Sequence, residues 1–215
     1  NISGQITAAY EVNSALNLYA TYATSFKPVG LNLSGIPNDL SGNPAIELAT
    51  VKPEDVRHIE LGFKSEPLDG LTANLTAYDT EIQDYQVGVV NAQIGVLRGY
   101  LANAEKVRVR GVEFDGRARW TDNFVTYAAL AWTDGKYVSF PDAPPALENT
   151  GGPQVVDISG TRLPGISEWS GSLGGEFTFG DSRFLGREGK YFAALDAFFR
   201  SDFSSSPTES RYLTV

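Results

Sequence analysis

Apolar and polar residues alternate with a period of two along much of this chain, which is typical of β-strands with two unlike faces. The clearest strand is predicted over Tyr100–Trp120. One parity of its second half is apolar, with Val112, Phe114, Ala118 and Trp120. The other parity is charged, with Glu113, Asp115, Arg117 and Arg119. Such a strand fits a soluble protein with its charged face in water, or a transmembrane barrel with that face toward a wet lumen.

The same alternation predicts further strands at 5–12, 16–26, 56–65, 71–87, 124–137, 169–179 and 191–203. Apolar residues do not recur at the 3.6-residue period of an amphipathic helix, and no apolar run approaches the roughly 18 residues of a membrane helix. Aromatic residues make up 12% of the chain and glycine contributes 22 residues, a composition that suits β-structure. The predicted fold class is therefore all-β.

The predicted connections differ in length in a regular order. Short ones at 13–15, 66–70, 121–123 and 180–189 alternate with long ones at 27–53, 88–99 and 138–165. In an up-and-down antiparallel sheet every second connection lies on the same edge, so this order places the short links on one rim and the long links on the other. Bacterial outer-membrane barrels have this asymmetry, with short periplasmic turns and long extracellular loops. The order favours a transmembrane barrel over a soluble β-protein.

Charge and composition argue against several classes of function. The net charge of −9 and the lack of a basic stripe argue against a nucleic-acid partner. The chain has no cysteine and one histidine, His58, so we expect no metal site, no cofactor and no catalytic triad. Glu113 with Asp115 resembles the paired carboxylates of glycosidases. Alternating carboxylates on a strand are more typical of a barrel lumen, and we predict that the chain is not an enzyme.

Four stretches, in order, resemble the C-terminal β-barrel of TonB-dependent outer-membrane receptors. LYATYATSFKPVGLN is similar to a strand of that family that ends in an aromatic residue, a basic residue and a turn. VKPEDVRHIELGFKS and LTANLTAYDTEIQDY resemble a recurrent pair of consecutive strands, and YLANAEKVRVRGVEFD resembles a strand ending in Arg-Gly-Val-Glu. The resemblance covers roughly residues 16–120, and the remainder matches in style only.

This resemblance implies that residues 1–215 are a section of a larger barrel of about 22 strands with a plugged lumen. It implies an active-transport receptor in the outer membrane of a Gram-negative bacterium that takes up a scarce nutrient such as a ferric siderophore. Energy would come from the TonB complex through a plug domain that these residues do not include. Outer-membrane lipid and lipopolysaccharide would surround the barrel. A passive channel or structural barrel, and a soluble carbohydrate-binding β-sandwich, are the alternatives.

Two sets of candidate site residues follow from the predicted strands. We expect ligand contacts at the outer mouth, beside the long connections, from Phe26, Lys27, Tyr85, Gln86, Arg98 and Tyr100. We expect a second set to face the lumen and the plug, namely His58, Glu60, Lys64, Glu113, Asp115, Arg117 and Arg119.

Arg108 and Arg110 share the parity of Val112, although each arginine would cost roughly 2–4 kcal/mol at mid-bilayer. We therefore expect them above the membrane at the outer rim, or a bulge near Gly111 that resets the register. At the rim they would meet water or lipopolysaccharide phosphate.

Overall fold

Eight long strands form one antiparallel sheet in the computed structural model, which describes residues 2–33, 36, 41, 43–93, 96–149, 151–184, 186–208 and 210–215. The strands of this sheet are β1 (Gly4–Asn13), β2 (Leu16–Lys27), β5 (Glu54–Leu68), β6 (Leu71–Gln93), β7 (Val96–Thr121), β8 (Phe124–Ser139), β9 (Trp169–Phe184) and β10 (Arg187–Arg200). Two-residue strands β3 (Gly30–Leu31) and β4 (Thr50–Val51) pair separately. Short 3₁₀ helices span Ile46–Ala49 and Leu147–Asn149. No helix in the described part of the chain has the length and apolar character needed to cross a membrane.

The strand order follows the chain, β1-β2-β5-β6-β7-β8-β9-β10, and every neighbouring pair is antiparallel. This confirms the prediction of an all-β, up-and-down sheet. The sheet is not closed, because β1 and β10 lie at its two edges, as expected for a section of a barrel. The eight strands form a single layer, whereas a β-sandwich packs two sheets face to face.

Connections sort onto two rims of the sheet. The short-turn rim carries the β1–β2, β5–β6, β7–β8 and β9–β10 connections. The long-loop rim carries the described residues of 28–53 and 140–168 and the ends of β6 and β7 at Gln93 and Val96. The predicted loop at 88–99 is wrong, because β6 continues to Gln93 and β7 begins at Val96. Glycine residues in this segment favour the prediction of a loop, although they lie within strands. The backbone groups of β6 and β7 are instead hydrogen-bonded to each other in a ladder.

Cross-strand register assigns each side chain to one of two faces. The polar face carries His58, Glu60, Lys64, Glu113, Asp115, Arg117 and Arg119, together with their register partners on other strands. The apolar face carries Leu18, Ile59, Leu61, Leu75, Val112, Phe114, Leu130, Leu173, Leu195 and Phe199. The predicted two-sided strand at 100–120 therefore extends into a two-sided sheet eight strands wide.

Buried apolar side chains gather at the long-loop rim and not along the middle of the sheet. The core cluster contains Val87, Val89, Ala104, Val107, Tyr137, Phe140, Ala143, Ile158 and Leu163. It joins the extended β6–β7 hairpin, the end of β8 and the segment 140–168. Backbone hydrogen bonds from Tyr137 N to Thr161 O (3.0 Å) and from Leu163 N to Gly135 O (2.9 Å) hold this segment along β8. The long connection is therefore a folded structure, with a core that spans sequence-distant elements.

Candidate functional site

The segment 28–53 is tied to the β6–β7 hairpin by buried polar side chains. Glu54 is 6% exposed, and its Oε1 accepts hydrogen bonds from Lys27 Nζ (3.0 Å) and from the backbone N of Gln86 (2.8 Å). Gln86 is also 6% exposed, and its Nε2 donates to Pro28 O (2.8 Å) and Lys52 O (2.9 Å). These bonds satisfy backbone groups at both ends of the segment. They anchor it over the hairpin.

Two asparagines extend the same attachment. Asn32 Nδ2 donates to Leu48 O (2.7 Å) and Leu101 O (2.9 Å), while Asn32 Oδ1 accepts from Leu101 N (2.7 Å). Asn103 Oδ1 accepts from Lys52 N (2.8 Å), and Asn103 Nδ2 donates to Asp84 O (2.6 Å). Sequence reasoning missed Glu54, Asn32 and Asn103, because buried polar contacts between distant segments leave no periodic signal.

The two predicted tyrosines at this rim pack against the core cluster. Tyr85 and Tyr100 are partly buried beside it. Burial raises the pKa of Tyr85, and the nearby carboxylate of Glu54 raises it further. Tyr85 therefore stays a neutral phenol. Its ring contributes to the packing that supports the long loops.

The structure brings together four of the six residues predicted to bind ligand. Lys27, Tyr85, Gln86 and Tyr100 all belong to the anchored region or to its core. Phe26 is 40% exposed, and its register partner is Asp55 on the apolar-face parity. The side chain of Arg98 lies outside the described residues. The contacts of Lys27 and Gln86 anchor the loop, and ligand binding by this set stays a prediction.

The polar face carries two separate groups of hydrogen-bonded side chains. His58 Nδ1 lies 2.8 Å from Thr80 Oγ1, and His58 Nε2 lies 3.4 Å from Glu60 Oε2. Asn74 Nδ2 donates to Asp115 Oδ2 over 2.9 Å. No lysine or arginine of the described chain lies within ion-pair distance of Glu60 or Glu113. This face therefore offers carboxylates to a cationic partner.

Towards the short-turn rim the polar face ends in exposed charge. Arg119 Nη2 lies 3.4 Å from Asp69 Oδ2, and the Asp69 side chain is 98% exposed. Lys64 Nζ sits 5.9 Å from the centroid of the Tyr19 ring. The seven residues predicted for this face share one side of the sheet, as their alternation requires. The described residues contain no cluster of three or more His, Cys, Asp or Glu side chains arranged to hold a metal ion.

Arg108 and Arg110 project from the apolar face towards the long-loop rim. The alternative of a bulge near Gly111 is wrong, because β7 pairs with β6 and with β8 in unbroken register through this position. Each arginine has a carboxylate partner, Asp79 for Arg108 and Asp134 for Arg110. These carboxylates lie on neighbouring strands at the same parity. Asp79 and Asp134 share the parity of the apolar residues on their strands, so the sequence alone already indicated that they lie on this face.

Residues 1–215 match the model of a protein family described as TonB dependent receptor-like, beta-barrel. The chain therefore belongs to this family of outer-membrane barrels. No curated relative matches the sequence.

Solved structures share the fold at low sequence identity. The ferric yersiniabactin uptake receptor FyuA from Yersinia pestis superposes with a TM-score of 0.68 at 17% identity, over 98% of this chain and 27% of that one. The copper transporter OprC gives 0.62 at 19% identity, over 83% of this chain and 25% of its own. The ferric citrate transporter FecA, unliganded, gives 0.58 at 18% identity, over 96% and 26%. The chain thus spans about a quarter of the length of these proteins.

Proposed function

We propose that this chain is part of the barrel of an outer-membrane active-transport receptor that takes up a scarce nutrient such as a ferric siderophore. Membership of the family supports this proposal, and so do the titles of the fold neighbours, which name ferric yersiniabactin uptake and copper and ferric citrate transport. Transport would be energised by the TonB complex acting through a plug domain.

The observation that carries the proposal is the exposed apolar face. Leu61 is 57% exposed, Leu173 62% and Leu195 78%, and they lie on three different strands of one sheet. Monomeric soluble proteins rarely leave a contiguous apolar surface of this extent in water. In a bilayer the same side chains would contact lipid, while the single layer of strands satisfies its backbone groups through its ladders.

The polar face would then line the lumen. Further strands of the same protein would pair with the free edges of β1 and β10 and complete a barrel of about 22 strands around a plug. Glu60 and Glu113 lack a lysine or arginine partner in the described chain, which suits contact with cationic groups of such a plug. The seven charged and polar residues named for this face are the proposed plug-facing set.

The long-loop rim would form the extracellular mouth. The anchored segment 28–53 and the core under 140–168 would hold a surface in place before ligand arrives, which lowers the entropic cost of binding. Phe26, Lys27, Tyr85, Gln86, Arg98 and Tyr100 remain the proposed ligand contacts. The exposed aromatic Phe26 and the amine of Lys27, which is half exposed, are the most accessible of those described.

An uptake assay on the full-length protein tests the proposal. The protein would be expressed in a Gram-negative strain lacking its own siderophore receptors, with and without a functional TonB complex, and offered a panel of radiolabelled ferric siderophores. Uptake of at least one chelate that disappears without TonB supports the proposal. Passage of small solutes that is equal in both strains would instead establish a passive channel and overturn it.

A further inference from the structure

Strands β6 and β7 continue past the level where β5 begins, as a paired hairpin formed by residues 85–93 and 96–104, here called the hairpin extension. On one face of it, Gln86 and Asn103 are hydrogen-bonded to backbone groups of the segment 28–53. Their chain neighbours Val87 and Ala104 lie in the core cluster that the segment 140–168 covers. Successive residues of a strand point to opposite faces. The hairpin extension therefore lies between the two segments.

The orientation of both strands changes where the hairpin extension leaves the sheet. Ile82 and Tyr85 of β6 both pack against the core cluster, although they have opposite parity. Ala104 and Val107 of β7 are both buried in that cluster and also have opposite parity. Residues on one face of a regular strand share a parity, so the face that meets the core shifts by one residue in each strand. The shift in β6 falls at Asp84, between these two contacts.

The backbone of Asp84 is strained and is held by its surroundings. Its φ is 52°, a left-handed value that favours glycine and that aspartate tolerates better than most residues. Asp84 O accepts a hydrogen bond from Asn103 Nδ2 (2.6 Å), and Asp84 Oδ1 accepts one from Lys52 Nζ (3.1 Å). Strained positions of this kind persist where neighbouring groups fix them, and they are frequent in parts of proteins that switch between two arrangements. The bend at Asp84 therefore has the character of a pivot.

We propose that the hairpin extension pivots about Asp84 together with the segments 28–53 and 140–168, so that opening of one segment opens the other. Gln86 and Val87 are consecutive residues of one strand, and the strand cannot withdraw Gln86 from 28–53 without also displacing Val87 from the core. A rigid element with two arrangements carries coupling between the groups on its two faces, and the coupling is reciprocal.

The consequence for transport rests on the proposed function, whereas the coupling itself requires only the fold. Among the proposed ligand contacts, Lys27 and Gln86 belong to the polar ties at 28–53. Tyr85 and Tyr100 pack against the core beneath 140–168. A nutrient that contacts both groups would hold both segments closed at once. The two segments would thus act as a single gate at the extracellular mouth.

Amide hydrogen exchange of the full-length protein, measured by mass spectrometry, tests the coupling. The amide of Lys52 reports on 28–53 through its bond to Asn103, and the amides of Ile158 and Leu163 report on 140–168. Asn32→Ala removes three hydrogen bonds between 28–53 and the rest of the rim. It should raise the exchange rate about tenfold at Lys52 and by the same factor at Ile158 and Leu163.

The reciprocal variant is Val89→Ala, which leaves a cavity on the core side of the hairpin extension, where Val89 is 1% exposed. It should raise the exchange rates of the same two sets of amides by a common factor. Ser65→Ala is the matched control, because it removes a side-chain bond to the carbonyl of Ala73 near the short-turn rim and should change neither set. Faster exchange in one segment alone, for either variant, overturns the proposal.

Two variants of Asp84 test the pivot. Asp84→Val should raise the exchange rates of both segments together, because a β-branched residue disfavours a left-handed φ, whereas Asp84→Asn should change them little. Unchanged exchange in Asp84→Val would refute the pivot.

Two measurements distinguish the causes of failure. Amides in the ladder between β2 and β5 show whether each variant is folded, and Ile158→Val, a milder change to the same core, replaces Val89→Ala if that variant does not fold. The uptake assay is independent of hydrogen exchange. Coupled exchange without TonB-dependent uptake would refute the transport role alone, and uncoupled exchange with such uptake would refute the coupling alone.

Discussion

The ring of Tyr19 on β2 lies over Gly62 on β5, so close that a Cβ on Gly62 would meet the tyrosine hydroxyl at 2.6 Å. Because Gly62 has no side chain, the Tyr19 hydroxyl reaches across β5 to Thr76 Oγ1 on β6, 2.8 Å away. The relationship recurs twice along the polar face. Tyr78 crosses Gly111 to Thr133 at 3.3 Å, and Tyr127 crosses Gly174 to Asp196 at 2.5 Å. In each case a tyrosine passes over a glycine of the neighbouring strand, and its hydroxyl forms a hydrogen bond with the strand beyond it.

Gly62→Ala should destabilise the barrel because the new methyl group occupies the space of the Tyr19 ring. Overpacking of this kind costs about 1–3 kcal/mol. We expect a lower temperature for loss of heat-modifiable migration in the full-length protein. Gly88→Ala is the matched control, since nothing lies within 4 Å of a Cβ at that glycine. Combining Gly62→Ala with Tyr19→Ala should recover part of the loss, and a purely additive double variant would contradict the packing relationship.

Gln86→Leu should loosen the segment 28–53 from the hairpin. The substitution leaves Pro28 O and Lys52 O without their shared donor, which costs about 1–3 kcal/mol for buried acceptors. On intact cells, an added protease should cut this segment about tenfold faster, because local opening becomes that much more frequent. Lys52→Gln removes only the exposed ion pair of Lys52 Nζ with Asp84, a surface contact worth about 0–1 kcal/mol, and serves as control. Equal cleavage of both variants would show that Gln86 does not anchor the loop.

Adjacent residues on β8 test the assignment of the two faces. Leu130 lies on the apolar face and Ala129 on the polar face, and both are exposed. Leu130→Arg should lower the free energy of unfolding in lipid bilayers by about 2–4 kcal/mol and thereby reduce the folded fraction. Ala129→Arg should be tolerated, because its side chain would face a wet lumen. Folding is followed by gel migration after reconstitution into vesicles. Tolerance of Leu130→Arg together with loss from Ala129→Arg would reverse the assignment.

Asp134→Asn should destabilise the protein more than Asp69→Asn does. Asp134 is 16% exposed and holds both Arg110 and Lys136, so its loss leaves two neighbouring cations without their counter-ion. Asp69 is 98% exposed, and its contact with Arg119 belongs to the class of surface pairs worth about 0–1 kcal/mol. Denaturant unfolding of the full-length variants measures the difference. Equal stability would mean that solvent already screens the Asp134 pairs.

Much of the fold was predictable because alternation is a local property. A one-residue shift would exchange the faces of Val112 and Glu113, so the pattern at 112–120 specifies the side of the sheet for each residue. The order of short and long connections likewise predicted the two rims. The segment 88–99 was missed because glycines interrupt its pattern, and its strand conformation depends on pairing between Val89 and Tyr100.

The candidate site was less predictable than the strands. Lys27 and Gln86 lie beside the long loops, and their hydrogen bonds to Glu54 and Pro28 join elements distant in sequence. Likewise, the sequence predicted that Arg108 and Arg110 avoid the bilayer centre. The ion pairs of Arg108 with Asp79 and of Arg110 with Asp134 depend on how three strands lie side by side.

By itself, the sequence determined that the chain forms a two-faced antiparallel sheet, because side-chain direction in a strand depends only on residue parity. It also determined the family, through ordered motifs on consecutive strands. The tertiary structure alone decided that the described residues of 28–53 are held by polar anchors and that those of 140–168 cover a core. It also decided that Tyr19, Tyr78 and Tyr127 pass over glycines. Those contacts join residues far apart in the chain, and their geometry exists only when the strands are assembled.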